Sequence, residues 1–299
     1  MLKTVNSVSE YLEYLNGVKR IRNMSYTVSS FTFFRGQANA SWSISPSLYR
    51  QGLFESENVL LTEIKHVCPR EIPDNRFDAL VKLQHYGMPT RLLDTTTNPL
   101  VALYFACEST TEKKYDGAVY IFPNLPVSWS TDPLVELIMD FVFNYSPKSV
   151  CLDEMLRVTK EKYTTATHRL MPEDVKSLLY YLTIPAFAVM PTKTNERIEA
   201  QDGAFYIFGM SCHSQKTSKN PGTLDRVYYN FEPINIESPE KLWRTAETLV
   251  IPASKKDTIL EQLDTLGVNE RKLFPDLPHQ IAYAVDTVVK NKFQVTKVL

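Results

Sequence analysis

An α+β fold is predicted for this chain: mixed, mainly antiparallel small sheets with helices around them. Two observations point there. β-type and helical runs follow one another without the regular βαβ rhythm of a doubly wound sheet. Only nine glycines occur, and neither G-x-G-x-x-G nor a Walker A pattern is present, which argues against nucleotide binding by those two routes. The 299 residues are read as a single domain over 1–299, with a helix-rich insertion at about 123–182.

The elements follow in order. Ser7 to Arg20 reads as a helix, capped by Ser7 or Ser9, with Val8, Tyr11, Leu12 and Leu15 at helical spacing. Phe31 to Arg35 is aromatic and β-rich, a short strand ended by Gly36. Glu55 to Val67 and Arg76 to His85 read as helices, and Gly87 and Pro89 break the chain after them. Thr90 to Asp94 is extended. Pro99 to Glu108 is a helix with proline at an early position and Asn98 as cap. Gly117 to Phe122 is β-type. Thr183 to Pro191 and Ala204 to Phe208 are strands flanking a polar turn, and Ser211 to Asn220 is a polar loop. A strand at Thr248 to Ile251 precedes a helix from Lys255 to Leu266, which Gly267 ends. The last helix runs from about Pro278 to Lys290, with a loose tail after it.

Composition narrows the class. Hydrophobic residues make up 43% and charged residues 22%, as in an ordinary globular protein, and the net charge of −1 gives no bulk case for nucleic-acid binding. Cys68, Cys107, Cys151 and Cys212 have no C-x-x-C or zinc-type spacing and read as reduced structural thiols. With no secretory signal pattern and no run near the length of a membrane span, a cytoplasmic protein without membrane partners is expected.

Three segments are richer in polar side chains than a scaffold needs. In Phe34-Arg35-Gly36-Gln37 the arginine can grip a phosphate or carboxylate with paired hydrogen bonds, and the glycine can admit a ligand to the backbone. A surface arginine before a turn is the plainer account. In the run from Leu83 to Ala106, His85, Thr90, Arg91, Asp94, Thr95, Thr96 and Asn98 lie close together. Helix capping, or an Arg91–Asp94 ion pair, accounts for them equally well. In the third, alternation places Arg197, Glu199 and Gln201 on one face of an extended segment. His66, His168, His213 and His279 have no partner that the sequence identifies.

Together and in this order, these segments resemble the FRG-domain family. Its Phe-Arg-Gly motif is similar to Phe34-Arg35-Gly36, and its longest signature looks like LQHYGMPTRLLDTTTNPLVALYFA at 83–106. A later arginine with Gln-x-Gly-x-Phe is similar to Arg197 and Gln201 to Phe205. A terminal glycine and Leu-Phe-Pro are similar to Gly267 and Leu273-Phe274-Pro275. The resemblance spans roughly 30–280 and implies a single FRG-type domain; Thr95 stands where the family often has tryptophan. A weaker resemblance links the chain to arginine-type ADP-ribosyltransferases, and implies a transferase-like core that uses NAD. On it, Arg35, Gly36, Gln37, His85, Thr90, Arg91, Thr95, Thr96 and Arg197 would hold the dinucleotide. Glu199, Gln201 or Asp94 would act on the ribose, although Gln201 stands where an active transferase has glutamate. The acceptor would be a protein or nucleic acid, and a bacterial toxin or defence role would suit such chemistry. The alternative is a non-catalytic module that recognises a nucleotide or phosphorylated ligand in the same pocket.

Overall fold

In the computed structural model, which describes residues 3–22, 31–109, 111–125, 127–162, 172–216, 227–236, 238–244 and 246–295, two sheets organise the chain. The strands are β1 (Lys3–Thr4), β2 (Phe31–Gln37), β3 (Leu92–Thr96), β4 (Gly117–Leu125), β5 (Val127–Trp129), β6 (Val150–Cys151), β7 (Ala186–Met190), β8 (Gly203–Phe208), β9 (Met210–Lys216), β10 (Val227–Pro233) and β11 (Glu247–Ile251). An eight-stranded sheet has the order β1-β11-β4-β2-β3-β8-β7-β5, and β6-β10-β9 form a second sheet. Only the outermost pairs of the large sheet, β1 with β11 and β5 with β7, are parallel. The fold is α+β and mainly antiparallel, but the expectation of small sheets fails: most strands join one broad sheet. Its assembly needs long-range pairings, such as β11 on β4, that local patterns do not encode.

Alternation sorts the middle strands onto two faces. Phe34, Val119, Ile121, Leu249 and Ile251 pack under the helices Val8–Arg22, Pro99–Cys107 and Lys256–Thr265. On the same face, Leu92, Phe205 and Ile207 pack with the helices Glu57–Val67, Arg76–His85 and Pro133–Asn144. The reverse face buries Phe33, Leu93, Tyr120, Phe122, Tyr206 and Phe208.

Local chemistry sets the helix ends. Ser7 caps the first helix, its Oγ accepting from Glu10 N at 3.2 Å, and Asn98 caps Pro99–Cys107, its Oδ1 accepting from Leu100 N at 3.0 Å. Gly267, at φ +78°, ends Lys256–Thr265. Gly36 does not end β2, which continues through Gln37. A Cβ on Gly36 would lie 1.9 Å from Ala102 O, so the glycine admits the backbone of Pro99–Cys107 rather than a ligand.

Four further expectations change. The extended strand begins two residues late, at Leu92: the Thr90 and Arg91 side chains are tied to Gln84 and Glu57, although Arg91 O still accepts from Phe208 N at 3.1 Å. Residues 196–200, read as extended, form the helix Glu196–Ala200, capped by Asn195, whose Oδ1 accepts from Ile198 N at 2.8 Å. Ser211 to Lys216, read as loop, belong to the strand Met210–Lys216, which pairs with β10, while the remainder of that expected loop lies outside the described residues. The last helix, Leu277–Val295, runs beyond Lys290, and 296–299 are not among the described residues.

Candidate functional site

Strands β2 and β3 are neighbours in the large sheet, yet one pair alone, Phe34 opposite Thr96, registers between them. From Arg35 onward they part. The Arg35 side chain crosses this gap, Nη1 donating to Asp94 O at 2.6 Å, while Nε donates to Gln37 Oε1 at 3.1 Å. Gln37 is itself fixed, its Nε2 donating to Trp42 O at 3.1 Å. The buried Gln37 therefore orients Arg35 from behind.

A cavity of about 300 Å³ lies over the gap, at the small end of the usual ligand-site range. Its floor comes from β2, β3 and β8, and its sides from the helices Arg76–His85 and Pro99–Cys107. The helix Glu196–Ala200 and its cap close a further side. Its apolar lining includes Phe34, Val101, Phe105 and Phe205. The polar groups that line the cavity include Arg35, Gln84, His85, Asp94, Arg197 and Gln201. Arg35 and Thr95 fall on the reverse face by alternation but reach the cavity where the strands part.

Charges in the cavity are unevenly compensated. Arg35 is half-buried, and no carboxylate pairs with it among the described residues. Burial lowers its pKa from the ordinary value, and Asp94 works in the opposite direction. Burial, and then the positive Arg197, lower that of His85. Asp94 is exposed, and its Oδ1 accepts from Gln84 Nε2 at 2.7 Å. The hydroxyl of Thr95, a residue only 6% exposed, has no hydrogen-bond partner.

The last motif also reaches this region. Gln201 Nε2 donates to Leu273 O at 2.9 Å, and Gln201 O accepts from Thr96 Oγ1 at 2.7 Å. The Arg197 guanidinium lies 4.6 Å from the Phe274 ring centre, and His279 stacks on the same ring at 5.0 Å. His279 Nδ1 lies 2.5 Å from Asp276 Oδ1.

The structure thus brings Arg35, Gly36, His85, Asp94, Thr95, Thr96, Arg197 and Gln201 to one cavity and leaves four candidates outside it. Arg91 is 1% exposed and clamps Glu57, itself 3% exposed, with Nε 3.0 Å from both carboxylate oxygens. Its Nη1 donates to Phe208 O at 3.3 Å. Its pKa is raised: burial alone would lower it, but the adjacent Glu57 carboxylate more than offsets this. The expected Arg91–Asp94 pair does not form; the partner is Glu57. Thr90 is fully buried and donates to Gln84, and Gln37 supports Arg35 without lining the cavity. Glu199 is exposed and absent from the lining, because a helix, unlike a strand, does not put it on the side of Gln201. Gln84 and Phe274 were not read as site residues; Gln84 sat inside a helix pattern, and Phe274 inside a motif read only for its order.

Among the described residues no cluster of three or more His, Cys, Asp or Glu side chains could hold a metal, and no helix is long and apolar enough to cross a membrane. No curated protein and no solved structure matches the chain. A family model does match, over the stretch that supplies Arg35, Gln84, His85, Asp94, Thr95 and Thr96, whereas Arg197, Gln201 and Phe274 lie beyond it. The matching model is that of the FRG domain, over residues 30–115.

Proposed function

We propose that the cavity recognises a nucleotide or a closely related phosphorylated ligand, with a phosphate on Arg35. The observation that carries this reading is a guanidinium with no ion-paired carboxylate among the described residues, its burial opposed only in part by the charge of Asp94. A half-buried cation without an ion-paired carboxylate is costly; the fully buried Arg91 is paired with Glu57, whereas Lys256, 1% exposed, is held by the carbonyls of Ala38 and Glu112. An anion on Arg35 would supply the missing charge through paired, charge-assisted hydrogen bonds. The unpartnered Thr95 hydroxyl is a second donor beside it. The apolar lining suits a base, and Arg197 extends the positive side.

Calorimetric titration with ADP and with NAD tests this. Wild type and Glu199→Gln, which alters a residue outside the cavity, are expected to bind alike. Arg35→Ala is expected to lose at least about tenfold in affinity, the size of one charge-assisted hydrogen bond. Equal affinities for wild type and Arg35→Ala, or no binding by wild type, would overturn the reading.

A second reading, an NAD-consuming transferase, draws support from Asp94, the one carboxylate among the described residues that line the cavity. On that reading the bond between nicotinamide and ribose breaks, nicotinamide leaves with the bonding pair, and Asp94 stabilises the oxocarbenium character left on the sugar. The Glu199 and Gln201 roles then fall away. One is exposed outside the cavity, and the other is uncharged with its amide nitrogen engaged. Release of nicotinamide from NAD by wild type, lost in Asp94→Asn even at saturating NAD, is the result expected of an enzyme.

A further inference from the structure

Asp94 is not merely near the cavity; its carboxylate is oriented by a relay of hydrogen bonds. Leu92 N donates to Thr90 Oγ1 at 3.1 Å, the Thr90 hydroxyl donates to Gln84 Oε1, and Gln84 Nε2 donates to Asp94 Oδ1 at 2.7 Å. The relay has one sense. Turning the Gln84 amide over would set its oxygen against a carboxylate oxygen, with no proton between them. Thr90 is completely buried, so the anchor cannot drift with solvent. The result is a carboxylate with Oδ1 occupied and Oδ2 left without a protein donor among the described residues.

From this geometry we infer that Asp94 reads a sugar hydroxyl, so that the ligand is a ribonucleotide rather than a deoxy or sugar-free phosphate. The inference rests on the nucleotide reading above. Arg35 donates to the carbonyl of Asp94 itself, which sets the phosphate-binding group within one residue of the carboxylate. In a nucleotide the group adjacent to the 5′ phosphate is the sugar; the donor groups of the base lie further along. The apolar lining of Phe34, Val101, Phe105 and Phe205 then remains for the base. A carboxylate accepting from a ribose hydroxyl is the chemistry by which acidic residues select ribose in other dinucleotide sites. Gln84 acts through Asp94 and is a positioning residue.

The test compares ADP with 2′,3′-dideoxy-ADP by calorimetric titration on the whole chain. Wild type is expected to prefer ADP by about ten- to a hundredfold, the range for a hydrogen bond to a charged acceptor. Asp94→Asn is expected to narrow that preference to about threefold or less. Gln84→Leu is expected to reduce it too, while Gln84→Asn fails to restore it because the shorter side chain cannot reach both partners. Both Gln84 variants should bind pyrophosphate as wild type does, since Arg35 and the Asp94 charge are untouched, and Asp94→Asn should bind it at least as well, having lost a negative charge beside the anion. Equal affinity of wild type for the two nucleotides, both lost in Arg35→Ala, would overturn ribose reading and leave the nucleotide site standing. Failure of wild type to bind any of the three probes would overturn both.

Discussion

Gln201 and Leu273 are joined by a side-chain-to-backbone hydrogen bond of 2.9 Å across 72 positions of sequence. It ties the turn before β8 to the last motif of the chain. A glutamine suits this place because its amide can donate to a carbonyl, which a carboxylate cannot do. Gln201→Glu should therefore destabilise the protein by about 1–3 kcal/mol at neutral pH, through the unmet carbonyl and the repulsion. Folding would raise the pKa of the new carboxyl, so the penalty is full above that value. It is relieved as pH falls through it and the protonated acid donates. Urea midpoints of both proteins at pH 7 and pH 5 measure this, with the gap closing at the lower pH.

Arg35 lies in β2 and Arg91 directly precedes β3, but the two predict opposite phenotypes. Arg91→Ala leaves the Glu57 carboxylate buried and alone, at a cost of about 3–5 kcal/mol. Replacing Arg91 and Glu57 together by methionine should recover most of that loss. Arg35→Ala removes hydrogen bonds to Asp94 O and Gln37 at a half-buried position, for a cost of about 1 kcal/mol. Chemical denaturation ranks the variants.

Gly36→Ala forces a methyl group onto the backbone of Ala102 and Ala106, where neither side can yield. A loss of about 3 kcal/mol or more is expected. Gly17, inside Val8–Arg22, has nothing within 4 Å of a built Cβ, so Gly17→Ala should instead stabilise by about 0.5–1 kcal/mol. The two substitutions are compared by thermal unfolding.

His85 gives the fold a pH dependence. Its pKa is lowered in the folded chain by burial and by Arg197, so the unfolded chain takes up the proton first as pH falls. Stability should drop below the unfolded histidine value of about 6.5, and continue to drop until the folded side chain is also protonated. His85→Asn should flatten that limb of the stability curve while leaving the region above pH 7 unchanged.

The fold class was legible because its signals are local. Asn98 before Pro99, the AVYIF run and Gly267 each mark an element without reference to the rest of the chain. The breadth of the sheet was not legible, since β1 and β11 meet from opposite ends of the sequence. Glu196–Ala200 misled because, over five residues, a single apolar Ile198 fits either period. Asn195, three residues before it, was the capping signal that pointed to a helix. In the site, polar density singled out Arg35, Asp94 and Thr95. It did not separate them from Arg91, because which carboxylate meets which arginine is settled by packing. Gln84 was masked by its helix, and only its contacts reveal it.

The lone rung between Phe34 and Thr96 gives the large sheet the mechanics of a book with a narrow spine. Its two covers, β1-β11-β4-β2 and β3-β8-β7-β5, are each laced along their length, but little backbone bonding resists shear between them. The Arg35 side chain is one of the few stitches, and it is the group that an anion would compete for. Occupancy of the cavity and the angle between the covers are therefore bound to the same guanidinium. Amide protons along the spine are the natural place for exchange to register both.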